Sequence, residues 1–195
     1  DARAFMSFYL PLMMTPLFMF LAMPLASAGM SRMARPMDSL ATWPALNGIV
    51  FTFRSPGFAF NEVVVSLLDR PRAFAVLRRF ALGLAGVTSS LLLMGAVTPL
   101  GGVWFARVSA LAPPLAALGA TGLWMAFLMP GLASLQSLYQ GAIVHSRRTR
   151  GITESMVVFL ATMTLTLVAG AWLAPATPGL WIAMVSLVAG NVTQL

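Results

Sequence analysis

Residues 155–174 read SMVVFLATMTLTLVAGAWLA, a run of twenty residues without a charged side chain. An α-helix of that length is about 30 Å long, which matches the hydrocarbon thickness of a bilayer. Similar runs recur along the chain. Six apolar segments are predicted, at residues 5–29, 40–68, 80–100, 113–144, 155–174 and 179–195. We therefore predict an all-α fold, in which residues 1–195 form a single polytopic transmembrane bundle of about six helices.

The composition of the chain points the same way. Of its 195 residues, 59% are apolar and only 9% are charged, whereas soluble domains carry about 25% charged residues. The chain cannot cover itself with polar surface, so we expect the lipid bilayer to be its main partner. Because the first residue is Asp1 and not Met, we expect the chain to be a fragment.

The positive charge is distributed as in a membrane protein. The net charge of +7 comes from twelve arginines in short clusters between apolar segments, which favours membrane orientation over a nucleic-acid partner. With six crossings, eight arginines fall on the side of the N-terminus, three on the other side, and the twelfth inside segment two. We therefore expect both termini in the cytoplasm, in a bacterial inner membrane. Four tryptophans near the predicted outer ends agree with this topology: Trp43, Trp104, Trp172 and Trp181.

The catalytic inventory of the chain is poor. The sequence has no cysteine, one histidine, no paired carboxylates and no glycine-rich phosphate loop. The sequence therefore contains almost none of the residues that form a metal site or a hydrolytic triad. We predict that the chain is not an enzyme, with no catalytic residues, no cofactor and no metal site.

Segment two carries the two charges that lie inside an apolar run, Arg54 and Glu62. An arginine at the centre of a span costs roughly 2.5–3.5 kcal/mol, so Arg54 should face a water-filled cavity, an anion or an acidic partner. The sequence Ser55-Pro56-Gly57 predicts a break or sharp bend in the helix at this point. We hypothesise that Arg54 attracts an anionic substrate and that Glu62 couples its release by changing charge.

Polar side chains of segment four complete the predicted site. Segments two and four should run in the same direction, which puts Asn61, Glu62, Gln136 and Gln140 at similar depths. With Arg54, these four are the candidate substrate-binding residues. The alternative for Asn61, Gln136 and Gln140 is a role in interhelical hydrogen bonds, worth about 0.6 kcal/mol each.

Short motifs spread along the chain resemble one six-helix half of the multidrug/oligosaccharidyl-lipid/polysaccharide exporter superfamily, in which MATE transporters lie. These motifs are Leu10-Pro11-Leu12, Ser31-Arg32, Arg79-Phe80 and Thr98-Pro99-Leu100. The chain is most similar to the progressive ankylosis family, through Pro56 with Glu62 and through Gly141 followed by Arg147-Arg148-Thr149. The resemblance implies secondary active export, by antiport, of a small anion such as pyrophosphate, a nucleotide or citrate. It also implies a second transporter half, or other membrane subunits, as a partner.

A different class of function stays open. The chain could be a structural or accessory integral-membrane subunit of a larger membrane complex, with its polar groups used only for assembly. The two readings differ in the surroundings that they expect for Arg54 and Glu62. A transporter needs these side chains to line a solvent-connected cavity, whereas an assembly subunit would seal them against neighbouring helices.

Overall fold

The computed structural model describes residues 20–146 and 150–195, and it is helical through most of both ranges, with no β-strand in them. The helices are α1 Phe20–Met30, α2 Pro36–Leu67, α3 Ala73–Val97, α4 Leu100–Val103, α5 Pro113–Ala126, α6 Met129–His145, α7 Arg150–Leu173 and α8 Gly179–Thr193. A π-helical turn, Trp104–Val108, follows α4. The predicted all-α fold is confirmed. The first part of segment one, residues 5–19, lies outside the described residues.

Three of the helical stretches can cross a membrane by length and composition. They are Ala73–Val97, Pro113–His145 and Gly151–Leu173, while the apolar helices Phe20–Met30 and Gly179–Thr193 are shorter. These three apolar stretches are compatible with a multi-pass membrane protein. The count of six spans and the orientation of the termini stay predictions.

The predicted segment four is two helices in sequence. A turn at residues 127–128 separates α5 from α6, and Pro130 lies in the first turn of α6. Proline is tolerated there because the amides of a first helical turn have no partner within the helix. The helix ladder resumes at once, since the Leu132 amide donates to the Leu128 carbonyl at 3.0 Å.

The predicted break in segment two is wrong, because α2 is one unbroken helix through residues 55–57, whereas the alternative of a sharp bend there stays a prediction. Pro56 has no amide to donate to the Thr52 carbonyl, four residues before it. The Ser55 hydroxyl donates to that carbonyl instead, at 2.8 Å, so the freed acceptor is satisfied locally. Gly57 serves close packing: a Cβ at this position would lie 2.9 Å from the backbone nitrogen of Ser134 in α6.

Helices α2 and α6 pack side by side and run in the same direction. Gly57 lies against Ser134, and Val64 lies against Gly141 seven residues further along both helices. Between these contacts, Asn61 Nδ2 donates to the Ser137 carbonyl at 3.1 Å. This agrees with the direction expected for segments two and four. Small residues at such a contact let the two backbones approach closely.

The connections between helices meet at two opposite ends of the bundle. At one end, the Gly179 amide donates to the Ala34 carbonyl at 3.1 Å, which joins the α1–α2 and α7–α8 connections. At the other end, His145 Nε2 lies 3.2 Å from Asp69 Oδ1, which joins the ends of α6 and α2. Helix α8 packs against α7 in the antiparallel direction and also contacts α2, α5 and α6. Its last turn is thereby brought beside the middle of α2.

Candidate functional site: a cavity around Arg54

A cavity of about 230 Å³ lies between α1, α2, α6, α7 and α8. Its polar lining consists of the side chains Asn47, Arg54, Gln136, Ser137, Gln140, Asn191 and Gln194. Its apolar lining consists of Ala22, Met23, Phe58, Ala133, Met156, Phe159 and Leu187. Arg54 is the one charged residue in this lining, so the wall as a whole is positively charged.

The guanidinium of Arg54 is held by neutral groups. Its Nη2 donates to Asn191 Oδ1 at 3.2 Å, and its Cζ lies 5.0 Å from the centre of the Phe58 ring, one turn further along α2. Nε is buried and has no hydrogen-bond partner among the described residues. The ion pairs Arg35–Asp38 and His145–Asp69 do not involve Arg54. The charge of Arg54 is thus not neutralised by a carboxylate of the described chain.

An amide network ties the last turn of α8 to α6. Gln136 Nε2 lies 2.8 Å from the carbonyl oxygen of Asn191, 3.2 Å from Asn191 Oδ1 and 3.1 Å from Gln194 Oε1. The last carbonyls of a helix have no amide partner within it, and Gln136 satisfies one of them. Asn191 Oδ1 accepts from both Gln136 and Arg54. Gln136 therefore fixes the end of α8 and also lines the cavity.

The other amide side chains of the lining have hydrogen-bond donors without strong acceptors. Asn47 Nδ2 faces the thioether sulfur of Met23 at 3.2 Å, and Gln194 Nε2 faces that of Met156 at 3.5 Å. A thioether is only a weak acceptor. No hydrogen bond of the Gln140 side chain is found within the described part of the chain. The cavity thus offers a positive charge and spare donors, which is the chemistry of an anion site.

Three of the five predicted site residues meet at this cavity, namely Arg54, Gln136 and Gln140. Asn61 is used in the contact between α2 and α6, and Glu62 is exposed and does not line the cavity. The angular position on α2 explains the difference. At about 100° per residue, Glu62 points about 80° away from Arg54, so the two cannot share a narrow wall.

Sequence reasoning missed the contribution of α8 and of the first half of α2. Asn191 and Gln194 are three residues apart in an otherwise apolar helix, a spacing that puts them on one face. Asn47 is seven residues before Arg54, again on the same face. These spacings were visible in the sequence. Their convergence on Arg54 was not, because it depends on how α8 packs.

The lining offers binding chemistry in the form of one guanidinium, several amides and an apolar wall. Within residues 20–146 and 150–195, no three side chains of His, Cys, Asp or Glu come together as metal ligands. The resemblance to MATE-like and progressive ankylosis proteins rests on short motifs of the sequence. No protein-family model, no curated protein and no solved structure matches this chain.

Proposed function

We propose that the chain is one half of a secondary active transporter that exports a small anion through the cavity around Arg54. The observation that carries this proposal is the uncompensated guanidinium, which is the single charge in a lining of otherwise neutral residues. An arginine in the middle of an apolar helix is costly. A bound anion would offset that cost and supply the acceptor that the lining lacks.

The surroundings of Arg54 favour binding over assembly. When a buried arginine has a purely structural role, a carboxylate or several carbonyl groups usually satisfy it. Here the guanidinium makes one hydrogen bond, to a neutral amide oxygen, and its Nε has no partner. A buried donor without a partner costs about 1–3 kcal/mol, and more when it is charged. Arg54 is therefore poorly satisfied by the described protein groups alone.

The wider architecture supports transport. In many transporters the substrate site lies near mid-membrane, between helices that belong to different rigid units. Arg54 lies near the middle of the 32-residue α2, and the cavity is closed by α1, α7 and α8 from other parts of the chain. In this proposal both termini are cytoplasmic, the surrounding medium is the lipid bilayer, and a second transporter half completes the assembly.

Efflux from reconstituted liposomes tests the proposal. The intact assembly, in which the chain is joined to its second half, is reconstituted into vesicles preloaded with radiolabelled benzenesulfonate, citrate or pyrophosphate. These anions do not cross a bilayer unaided, and their release is compared with that from protein-free vesicles. We expect protein-dependent release of at least one of these anions. Arg54→Gln should weaken it by more than about tenfold, since unpairing one partner of a buried charge pair costs about 2–5 kcal/mol.

A charge variant outside the cavity serves as the matched control. Arg107→Gln removes the same charge from an exposed position after α4. It should release the anion at the wild-type rate. Equal release by wild-type and empty vesicles, or full activity of a folded Arg54→Gln, would overturn the proposal. Either result would favour the accessory-subunit alternative.

A further inference from the structure

We infer that the ligand of the Arg54 cavity is a small organic monoanion with an apolar body, such as an aromatic or short aliphatic monocarboxylate. This inference rests on the proposed function, because it assumes that the cavity binds an anion. It differs from the substrates that the family resemblance implies, which are pyrophosphate, nucleotides and citrate. Three properties of the cavity carry it: the charge of its lining, the mixture of polar and apolar side chains in that lining, and its size.

The charge of the lining matches one negative charge. Arg54 is the single charged residue among the lining residues, and the amides around it are neutral. Citrate and pyrophosphate each carry more than one negative charge at neutral pH. One guanidinium would leave the rest without a counter-ion, in a site where charges are shielded little by water. A monocarboxylate is neutralised completely by Arg54.

The hydrogen-bond donors of the lining are suited to one carboxylate group. A carboxylate is a planar acceptor that offers about four lone-pair sites and has no donor. Arg54 has N–H donors beyond the one used on Asn191, Gln140 has no hydrogen bond among the described residues, and Gln194 Nε2 faces only a thioether. A guanidinium with neutral amide donors beside it is well suited to binding one carboxylate in a forked arrangement.

The rest of the lining is apolar and includes aromatic rings, with side chains that lie beside the polar groups. These side chains are Met23, Phe58, Met156, Phe159 and Leu187. An inorganic ion would lose hydration against them without gaining an apolar contact. A hydrocarbon body fits these side chains, because burial of apolar surface is favourable and methionine sulfur packs well on aromatic rings. The cavity therefore selects an amphipathic ligand with a single charged end.

The volume of the cavity favours a small molecule. About 230 Å³ is below the range of about 300–1,000 Å³ that is typical of pockets for drug-sized ligands. A nucleotide, with its base, ribose and phosphates, needs more room and more positive charge than the described lining offers. A ligand of the size of benzoate or hexanoate fits both limits.

A competition assay tests the inference. The full chain in lipid nanodiscs is equilibrated with radiolabelled benzoate at neutral pH, and bound label is measured against unlabelled competitors. We expect hexanoate to compete within about tenfold of benzoate. Acetate has the charge but almost no apolar part, and benzamide has the aromatic ring but no charge. Citrate and pyrophosphate carry more than one charge. Each of these should compete more than about tenfold less well than benzoate, a difference of about 1.4 kcal/mol.

Variants separate the ligand class from the proposed function. Arg54→Gln should lose benzoate binding, Arg54→Lys should retain a part of it because the charge remains, and Arg107→Gln should bind normally. Arg54-dependent binding of citrate or pyrophosphate that is tighter than that of benzoate would overturn the monoanion inference and keep the anion site. If none of these anions shows Arg54-dependent binding, the inference and the proposed function both fail. The competitor series uses the wild-type chain, so it decides the ligand class even where a variant does not fold.

Discussion

Replacing Gly57 by alanine probes the contact that positions Arg54. A Cβ at this position would lie 2.9 Å from the Ser134 backbone nitrogen, 3.0 Å from Ser134 Oγ and 3.1 Å from the backbone carbon of Ala133. Ordinary van der Waals contact begins at about 3.4 Å, so α2 and α6 must separate by roughly 0.5 Å. Backbone atoms cannot rotate away as a flexible side chain can. Overpacking of this kind costs about 1–3 kcal/mol.

Gly48→Ala is the matched control, because Gly48 lies on the same helix and a Cβ there meets nothing within 4 Å. Alanine favours a helix over glycine by about 0.8–1.0 kcal/mol, and both variants gain this term. The two should therefore differ by the overpacking alone, about 1–3 kcal/mol, with Gly57→Ala less stable. For a chain of this length, 1 kcal/mol shifts Tm by about 2–4 °C.

Thermal unfolding followed by tryptophan fluorescence measures this difference in detergent or nanodiscs, since the chain contains five tryptophans. We expect the Tm of Gly57→Ala to lie at least about 2 °C below that of Gly48→Ala. Equal Tm values would refute the close contact between α2 and α6. A higher Tm for Gly57→Ala would mean that glycine weakens the helix at this point, as the sequence alone suggested.

Two further predictions concern α8 and the membrane topology. Gln136→Leu should destabilise the fold by about 1–3 kcal/mol, because it leaves the Asn191 carbonyl without its donor, whereas Gln140→Leu should change stability by less than about 0.5 kcal/mol. Thermal unfolding of the two variants, which lie one turn apart on α6, measures the contrast, and equal losses would contradict the amide network. Single cysteines at Ser109 and Ala176 of this cysteine-free chain should react with an impermeant thiol reagent from outside the cell. Labelling of either position from the cytoplasmic side alone would contradict the predicted topology.

The sequence predicts the helices well where apolar runs are long and uninterrupted. Residues 155–174 and 179–195 were expected to be helical, and the structure has Arg150–Leu173 and Gly179–Thr193. A charge in the middle of a predicted span is equally informative. The cost of Arg54 in lipid predicts that it faces a cavity, an anion or an acidic partner, and it lines a cavity. Both predictions depend only on the free energy of transfer of side chains to a bilayer, which follows from the residue types in a single sequence.

The features that the sequence did not predict depend on contacts between residues that are far apart in the chain. Pro56 and Gly57 look like a helix break when α2 is considered alone, but Ser55 satisfies the freed carbonyl and α6 requires a residue without a side chain. Glu62 does not line the cavity with Arg54, because the two residues lie about 80° apart around α2. Asn191 joins the cavity only because α8 packs beside α6, a tertiary contact that local periodicity does not encode.

The two ends of α8 are held by different kinds of contact: backbone hydrogen bonds at its start and side-chain hydrogen bonds at its end. At its start, the backbone amides of Gly179 and Leu180 are bonded to the Ala34 carbonyl and to Ser39 Oγ, in a region of buried apolar packing. At its far end, side-chain bonds from Gln136 and Arg54 hold Asn191 beside the cavity. A solute bound to the remaining donors of Arg54 would lie beside this second contact. We therefore expect binding to change the surroundings of the last turn of α8 and to leave the start of the helix unchanged.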